Sequence, residues 1–185
     1  GAPQLDGIES WTKGALDQAY AVFQKSWADH PGELTKRPAA VLLITDGPWT
    51  DPSGKTPLAP ANQDPALTAG AMYNAHGIPT YVIALGEAKG AAFADVLAAS
   101  GGTGQASDVG GPWVLYAAAG DVVEDVEAKL LSTCEAGRTR IMVLLDASSS
   151  MLNIMNGTQA GKMGQTGWDE ARAVLAGGMS LFDQV

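Results

Sequence analysis

Arg140-Ile141-Met142-Val143-Leu144-Leu145-Asp146-Ala147-Ser148-Ser149-Ser150 is the stretch on which the fold turns. Five consecutive apolar side chains, Ile141 to Leu145, cannot all be hidden by a strand with one face in water. The run therefore reads as a strand buried on both faces, the condition of a parallel sheet covered by helices. It stops at an aspartate followed by small residues. In a tight loop Asp146, Ser148 and Ser150 alternate, so their oxygens point one way while Ala147 and Ser149 point another.

A second run repeats the pattern. Ala39-Ala40-Val41-Leu42-Leu43-Ile44 is also apolar throughout and is closed by Thr45-Asp46-Gly47. Two buried strands thus end in an aspartate. In open parallel sheets ligands sit beyond the carboxyl ends of strands, where neighbouring connections diverge to opposite faces. If the two strands are neighbours, Asp46 and Asp146 converge within reach of one ion.

Outward from these strands the elements alternate. Leu16, Ala19, Tyr20, Phe23 and Trp27 fall at helical spacing and predict an amphipathic helix from Thr12 to about Ala28. After the first strand comes a Pro-rich loop, Pro48 to Pro65, and Asp64-Pro65 opens a helix expected to run through Asn74. Pro79 to Leu85 reads as a strand and Ala91 to Ala99 as a helix, followed by a loop from Thr103 to Pro112. A short strand is expected at Trp113 to Tyr116 and a helix at Asp121 to Leu131. Beyond Ser150, a Gly-rich connector from Leu152 to Gly167 leads to a helix at Trp168 to about Leu175. This order predicts an α/β three-layer sandwich, a mainly parallel Rossmann-like sheet flanked by helices, with residues 1–185 as one domain.

Composition bounds the function. The chain has 185 residues, 46% hydrophobic and 17% charged, enough for one sizeable core. Eleven Lys and Arg against twenty Asp and Glu give a net charge of −9, and Lys36-Arg37 is the longest basic run. Nucleic acid and anionic membranes are poor partners for such a chain. The apolar runs are much shorter than the roughly 20 residues that span a bilayer, so no membrane insertion is expected. Cys134 is the only cysteine, which excludes an internal disulfide and a thiolate zinc cluster.

The candidate donors are hard oxygens. A loop offering carboxylates and hydroxyls, with no imidazole or thiolate, selects Mg²⁺, Mn²⁺ or Ca²⁺ over zinc or copper. Two carboxylates against one divalent ion leave the centre near neutral. An ion held otherwise by hydroxyls stays electrophilic enough to take a carboxylate from outside, which suits binding better than hydrolysis.

In these residues the chain resembles the von Willebrand factor type A domain, as in the integrin inserted domain. That family's metal-ion-dependent adhesion site has D-x-S-x-S at the end of the first strand, a distant Thr, and an Asp within T-D-G at the end of the fourth. Asp146-Ala147-Ser148-Ser149-Ser150 is similar to the first element and Thr45-Asp46-Gly47 to the last. Thr12, in Thr12-Lys13-Gly14-Ala15-Leu16, is the candidate for the threonine. The resemblance implies that Ser148, Ser150 and Thr12 coordinate directly, and that Asp46 and Asp146 act mostly through water. It implies a sixth position taken by a Glu or Asp of a protein partner, an adhesion module with no enzymatic activity, and a secreted or cell-surface location.

The order of the motifs departs from the family. Residues 1–131 correspond to its C-terminal part and 140–185 to its N-terminal part, and the two edge strands expected after the first helix have no counterpart. Either the domain is circularly permuted, with Leu131 to Thr139 joining the old ends, or the chain is a fragment of a tandem array. In the second case another copy or a missing segment completes the site. The enzymatic alternative is a Mg²⁺-dependent hydrolase of the haloacid dehalogenase-like type, whose nucleophilic Asp is followed two residues later by a second acid. Ser148 stands there instead. A structural domain with a vestigial metal site is the third possibility.

Other motifs lead nowhere. Gly54-Lys55-Thr56 lacks the glycine five residues earlier that a phosphate loop needs, and Pro57 obstructs the following helix. Gly102-Thr103-Gly104 follows a helix where a dinucleotide site needs a strand. His30 and His76 read as surface residues at helix ends, and Trp11, Trp27, Trp49, Trp113 and Trp168 mostly as core or loop anchors, with a place at the rim of the site as the alternative for Trp49, next to Asp46.

Overall fold

The computed structural model describes residues 10–32, 36–53, 61–85, 91–104, 114–116, 140–148, 151 and 166–176. The first apolar run forms strand β1, Ala39–Thr45, and all seven of its residues are buried. Such a strand must be flanked on both sides and covered on both faces. β2, Thr80–Ala84, pairs with it in parallel from Val41 opposite Thr80 to Thr45 opposite Ala84. On the other side lies β4, Arg140–Leu145, also parallel, from Ala39 opposite Arg140 to Ile44 opposite Leu145. β3, Val114–Tyr116, extends the sheet beyond β2, giving the order β3-β2-β1-β4.

Side chains alternate across the sheet with period two. Val41, Leu43, Val82 and Ala84 face one way and meet Leu16 and Phe23 of α1 (Thr12–Asp29), Ala69 and Met72 of α2 (Pro65–His76), and Ala94 and Leu97 of α3 (Ala92–Ser100). Ala40, Leu42, Ile44, Tyr81 and Ile83 face the other way, against Met151 and against Trp168, Ala171 and Leu175 of α4 (Gly167–Ala176). Helices therefore cover both faces of a parallel sheet. Each fully buried aliphatic side chain contributes about 1.5–3 kcal/mol. The exposed pair Lys25–Asp29 contributes a few tenths. The two apolar layers, and not the surface charges, hold the domain.

The strand at Arg140–Leu145 is expected to be buried on both faces, yet every residue in it is only half-buried. It is the last strand of the sheet on its side among the described residues, and an outermost strand has a neighbour along one edge only. α2 runs two residues past the expected Asn74 because its natural stop comes later. Gly77 adopts φ +65°, the left-handed conformation glycine enters without strain, and its N–H donates to Tyr73 O at 2.8 Å. Its start is as expected, with Asp64 accepting from Ala66 N at 2.9 Å and Pro65 following. Within the predicted Pro48–Pro65 loop, Ala61–Gln63 forms one turn of 3₁₀ helix that leads into this cap. The helix expected at Asp121 to Leu131, Cys134 and the connector from 152 to 165 lie outside the described residues. Among the described residues no helix is long and apolar enough to cross a membrane.

Candidate metal centre

The register of β1 and β4 decides where the two aspartates go. Ile44 stands opposite Leu145, so Thr45-Asp46 and Asp146 leave the sheet from adjacent strand ends. The backbone bond from Asp146 N to Ile44 O, 2.9 Å, carries the pairing one residue past β4. The helix after β1 packs on one face of the sheet and the helix after β4 on the other. A crevice at such a divergence is where open α/β sheets bind ligands.

Asp146 is buried, 7% exposed, and its carboxylate accepts three hydrogen bonds. Ser148 N donates to Oδ1 at 2.9 Å, closing a tight turn. Ser10 Oγ donates to Oδ2 at 2.5 Å, within the range of charge-assisted O–H···O⁻ bonds. Thr45 Oγ1 lies 2.9 Å from the same Oδ2 and 3.1 Å from Gly47 O. With one proton to give, it gives it to the nearer, charged oxygen. All three donors are neutral, so they orient the carboxylate without cancelling its charge.

Asp46 is equally buried, and its Oδ1 lies 3.4 Å from Ser148 Oγ. Ser148 thus links the two aspartates, its amide on Asp146 and its hydroxyl on Asp46. Burial alternates through the first three positions of the loop: Asp146 and Ser148 are buried and Ala147 is exposed. Ser150 lies outside the described residues. Thr12 is the first residue of α1 and is buried, with Oγ1 3.4 Å from Ser10 O. It reaches Asp146 by way of Ser10. A cavity of about 340 Å³ opens at this point, with Ser10, Thr12, Asp146 and Ser148 in its polar wall and Trp11 and Leu144 among its apolar lining.

Do these groups fit a divalent cation? Among the described residues no three His, Cys, Asp or Glu side chains gather where an ion would sit, so carboxylates alone do not make the site. The donor set is two carboxylates and several hydroxyls, which hard cations accept. In an octahedron with bonds near 2.1 Å, neighbouring ligand oxygens stand about 3.0 Å apart, and with bonds near 2.4 Å about 3.4 Å. The separation of Ser148 Oγ from Asp46 Oδ1 falls at that upper value. The donor types suit a hard cation of the Mg²⁺, Mn²⁺ or Ca²⁺ class, and this one separation matches the longer, Ca²⁺-like bonds.

Two contributors are missing from the sequence reading, Ser10 and Thr45. Thr45 was legible in principle, since it is the last residue of a buried strand and a buried hydroxyl there needs a partner. Ser10 had no signal of its own, because its role depends on a contact across 136 residues. Trp49 packs edge-on against Phe93, ring centroids 5.9 Å apart, as a loop anchor, whereas Trp11, also expected to be an anchor, is exposed and lines the cavity. His76, expected at the surface, is partly buried, with Tyr20 and Trp27 rings 5.7 and 4.8 Å away. Compared with protein families, with curated proteins and with solved structures, the chain finds no match in any of the three.

Proposed function

We propose that this chain is a divalent-cation-dependent protein-binding module of von Willebrand factor type A-like arrangement in permuted order, whose ion receives a Glu or Asp from a partner protein. One observation carries this reading: Asp46 and Asp146, 100 residues apart in sequence, end adjacent parallel strands and are joined through Ser148. Within one chain the T-D-G strand lies beside the D-x-S-x-S strand, which favours a permuted domain over a fragment needing a second copy.

Ser148 and Thr12 supply hydroxyl oxygens to the ion, and Ser150 is assigned the same role by its place in the motif. Asp146, oriented by Ser10, Thr45 and the Ser148 amide, and Asp46, beside the Ser148 hydroxyl, supply the negative charge. When bound, Mg²⁺ or a similar ion contributes Lewis acidity toward a carboxylate at an open coordination position. The cavity beside Asp146 and Ser148 gives that carboxylate its way in. Ser148 at the position of a second acid leaves the centre without the acid–base partner of the hydrolase alternative.

Calorimetric titration of Mn²⁺ and Mg²⁺ into the chain tests the proposal. One site is expected in the unaltered protein, with affinity reduced about ten-fold or more in Ser148→Ala and Asp146→Asn. Unchanged affinity in both variants overturns it. Metal-dependent phosphatase turnover lost in Asp146→Asn would favour the hydrolase.

A further inference from the structure

We propose that Ser10 is a positioning residue of this centre, outside both the D-x-S-x-S and the T-D-G elements, and that it sets ion affinity by holding Asp146 and Thr12 in register. The inference rests on the reading of the site as a cation centre. Three segments distant in sequence meet at this serine. Its hydroxyl donates to Asp146 Oδ2 at the end of β4. Its carbonyl accepts Thr12 N and Thr50 N, both at 2.9 Å, and lies 3.4 Å from Thr12 Oγ1.

A carbonyl oxygen has two lone pairs, and the two amides occupy them. The third contact, from the Thr12 hydroxyl at 3.4 Å, is the longest of the set and the one a bound ion would most readily replace. The side chain of Ser10 therefore fixes a carboxylate while its backbone fixes the start of α1 and the loop after β1. Those two tasks can be separated by substitution. Thr45 shares Asp146 Oδ2 but is 2% exposed inside the sheet, where replacement disturbs packing. Ser10 is only half-buried, so its hydroxyl can be removed with less disturbance of the fold.

Hydrogen bonds that orient the groups around an ion typically change affinity 10–100-fold, because a carboxylate released from one of its donors must be reordered when the ion binds, whether it meets the ion directly or through a water. Thr12, held by the Ser10 carbonyl, keeps its place in a side-chain variant. Ser10→Ala should thus weaken the ion without melting the domain. A merely structural serine would do the reverse.

The test is Mn²⁺ titration by calorimetry of the full chain, unaltered and as Ser10→Ala and Ser10→Thr, with ion-free melting temperatures alongside. Expected are a Kd raised about ten-fold or more in Ser10→Ala, a return to within about three-fold of the unaltered protein in Ser10→Thr, and ion-free melting within a few degrees throughout. Should Ser10→Ala fail to fold, Ser10→Cys, similar in shape but a weak donor, takes its place with the same expectation. Mn²⁺ binding by the unaltered chain that Ser10→Ala leaves unchanged overturns this inference alone. A large fall in ion-free melting temperature with affinity kept in the folded fraction overturns it too, by making Ser10 a structural anchor. Absence of Mn²⁺ binding by the unaltered chain overturns the cation reading and the role of Ser10 together.

Discussion

Thr45 shows how one hydroxyl serves fold and site at once. It is the last residue of β1, and its Oγ1 donates to the carboxylate of Asp146 from the neighbouring strand end. Thr45→Val keeps the shape and removes the donor. Ser10 and the Ser148 amide still hold Asp146, so the carboxylate is not left bare, and the expected loss is about 1–2 kcal/mol in urea denaturation. A loss near zero would mean that the Thr45 hydroxyl satisfies itself on Gly47 O instead. At this scale Asp46, Asp146 and Ser148 were candidates by their places after apolar runs, and Thr12 was a candidate only through the resemblance to the type A domain; the structure places all four at buried positions. The sequence did not show Ser10, since nothing local marks a serine whose partner is 136 residues away.

At the scale of elements, helix ends are seated against strand starts with little room. Gly101, just beyond α3, accepts Thr80 N on its carbonyl at 2.9 Å, fastening the helix to the beginning of β2. A Cβ placed on Gly101 would lie 2.6 Å from Thr80 Cβ and 3.1 Å from Thr80 O. Gly101→Ala must therefore push α3 away from β2, and overpacking of this kind costs about 1–3 kcal/mol. The check is a lowered denaturation midpoint with an unchanged m-value. Glycine here is explained by close approach, whereas Gly77 is explained by its positive φ. Most element positions were legible from periodicity and punctuation. Apolar runs predicted β1 and β4, and Asp64-Pro65 predicted the start of α2. The half-burial of β4 was not legible, because a run of apolar residues does not say whether a strand lies inside a sheet or at its border.

Over the whole molecule, the parallel pairing of β1 with β4 brings Asp46 and Asp146, distant in the chain, into one site. The strand order β3-β2-β1-β4 puts the T-D-G strand next to the D-x-S-x-S strand, although the motifs occur in the chain in reversed order. Helices on opposite faces after these two strands leave a crevice between them. The α/β class followed from apolar runs alternating with helical segments, whereas the adjacency of the aspartates comes from the pairing of β1 with β4, since two buried strands ending in acids need not be neighbours. The side on which each helix lies could not be read from sequence, since both faces of a buried strand are apolar. A shared ion at this crevice is the central claim, and anomalous diffraction from crystals soaked in Mn²⁺ measures it most directly. It predicts one strong peak among Ser148, Thr12, Asp46 and Asp146, within a single chain. No peak there, or a peak elsewhere on the surface with this crevice vacant, would contradict it.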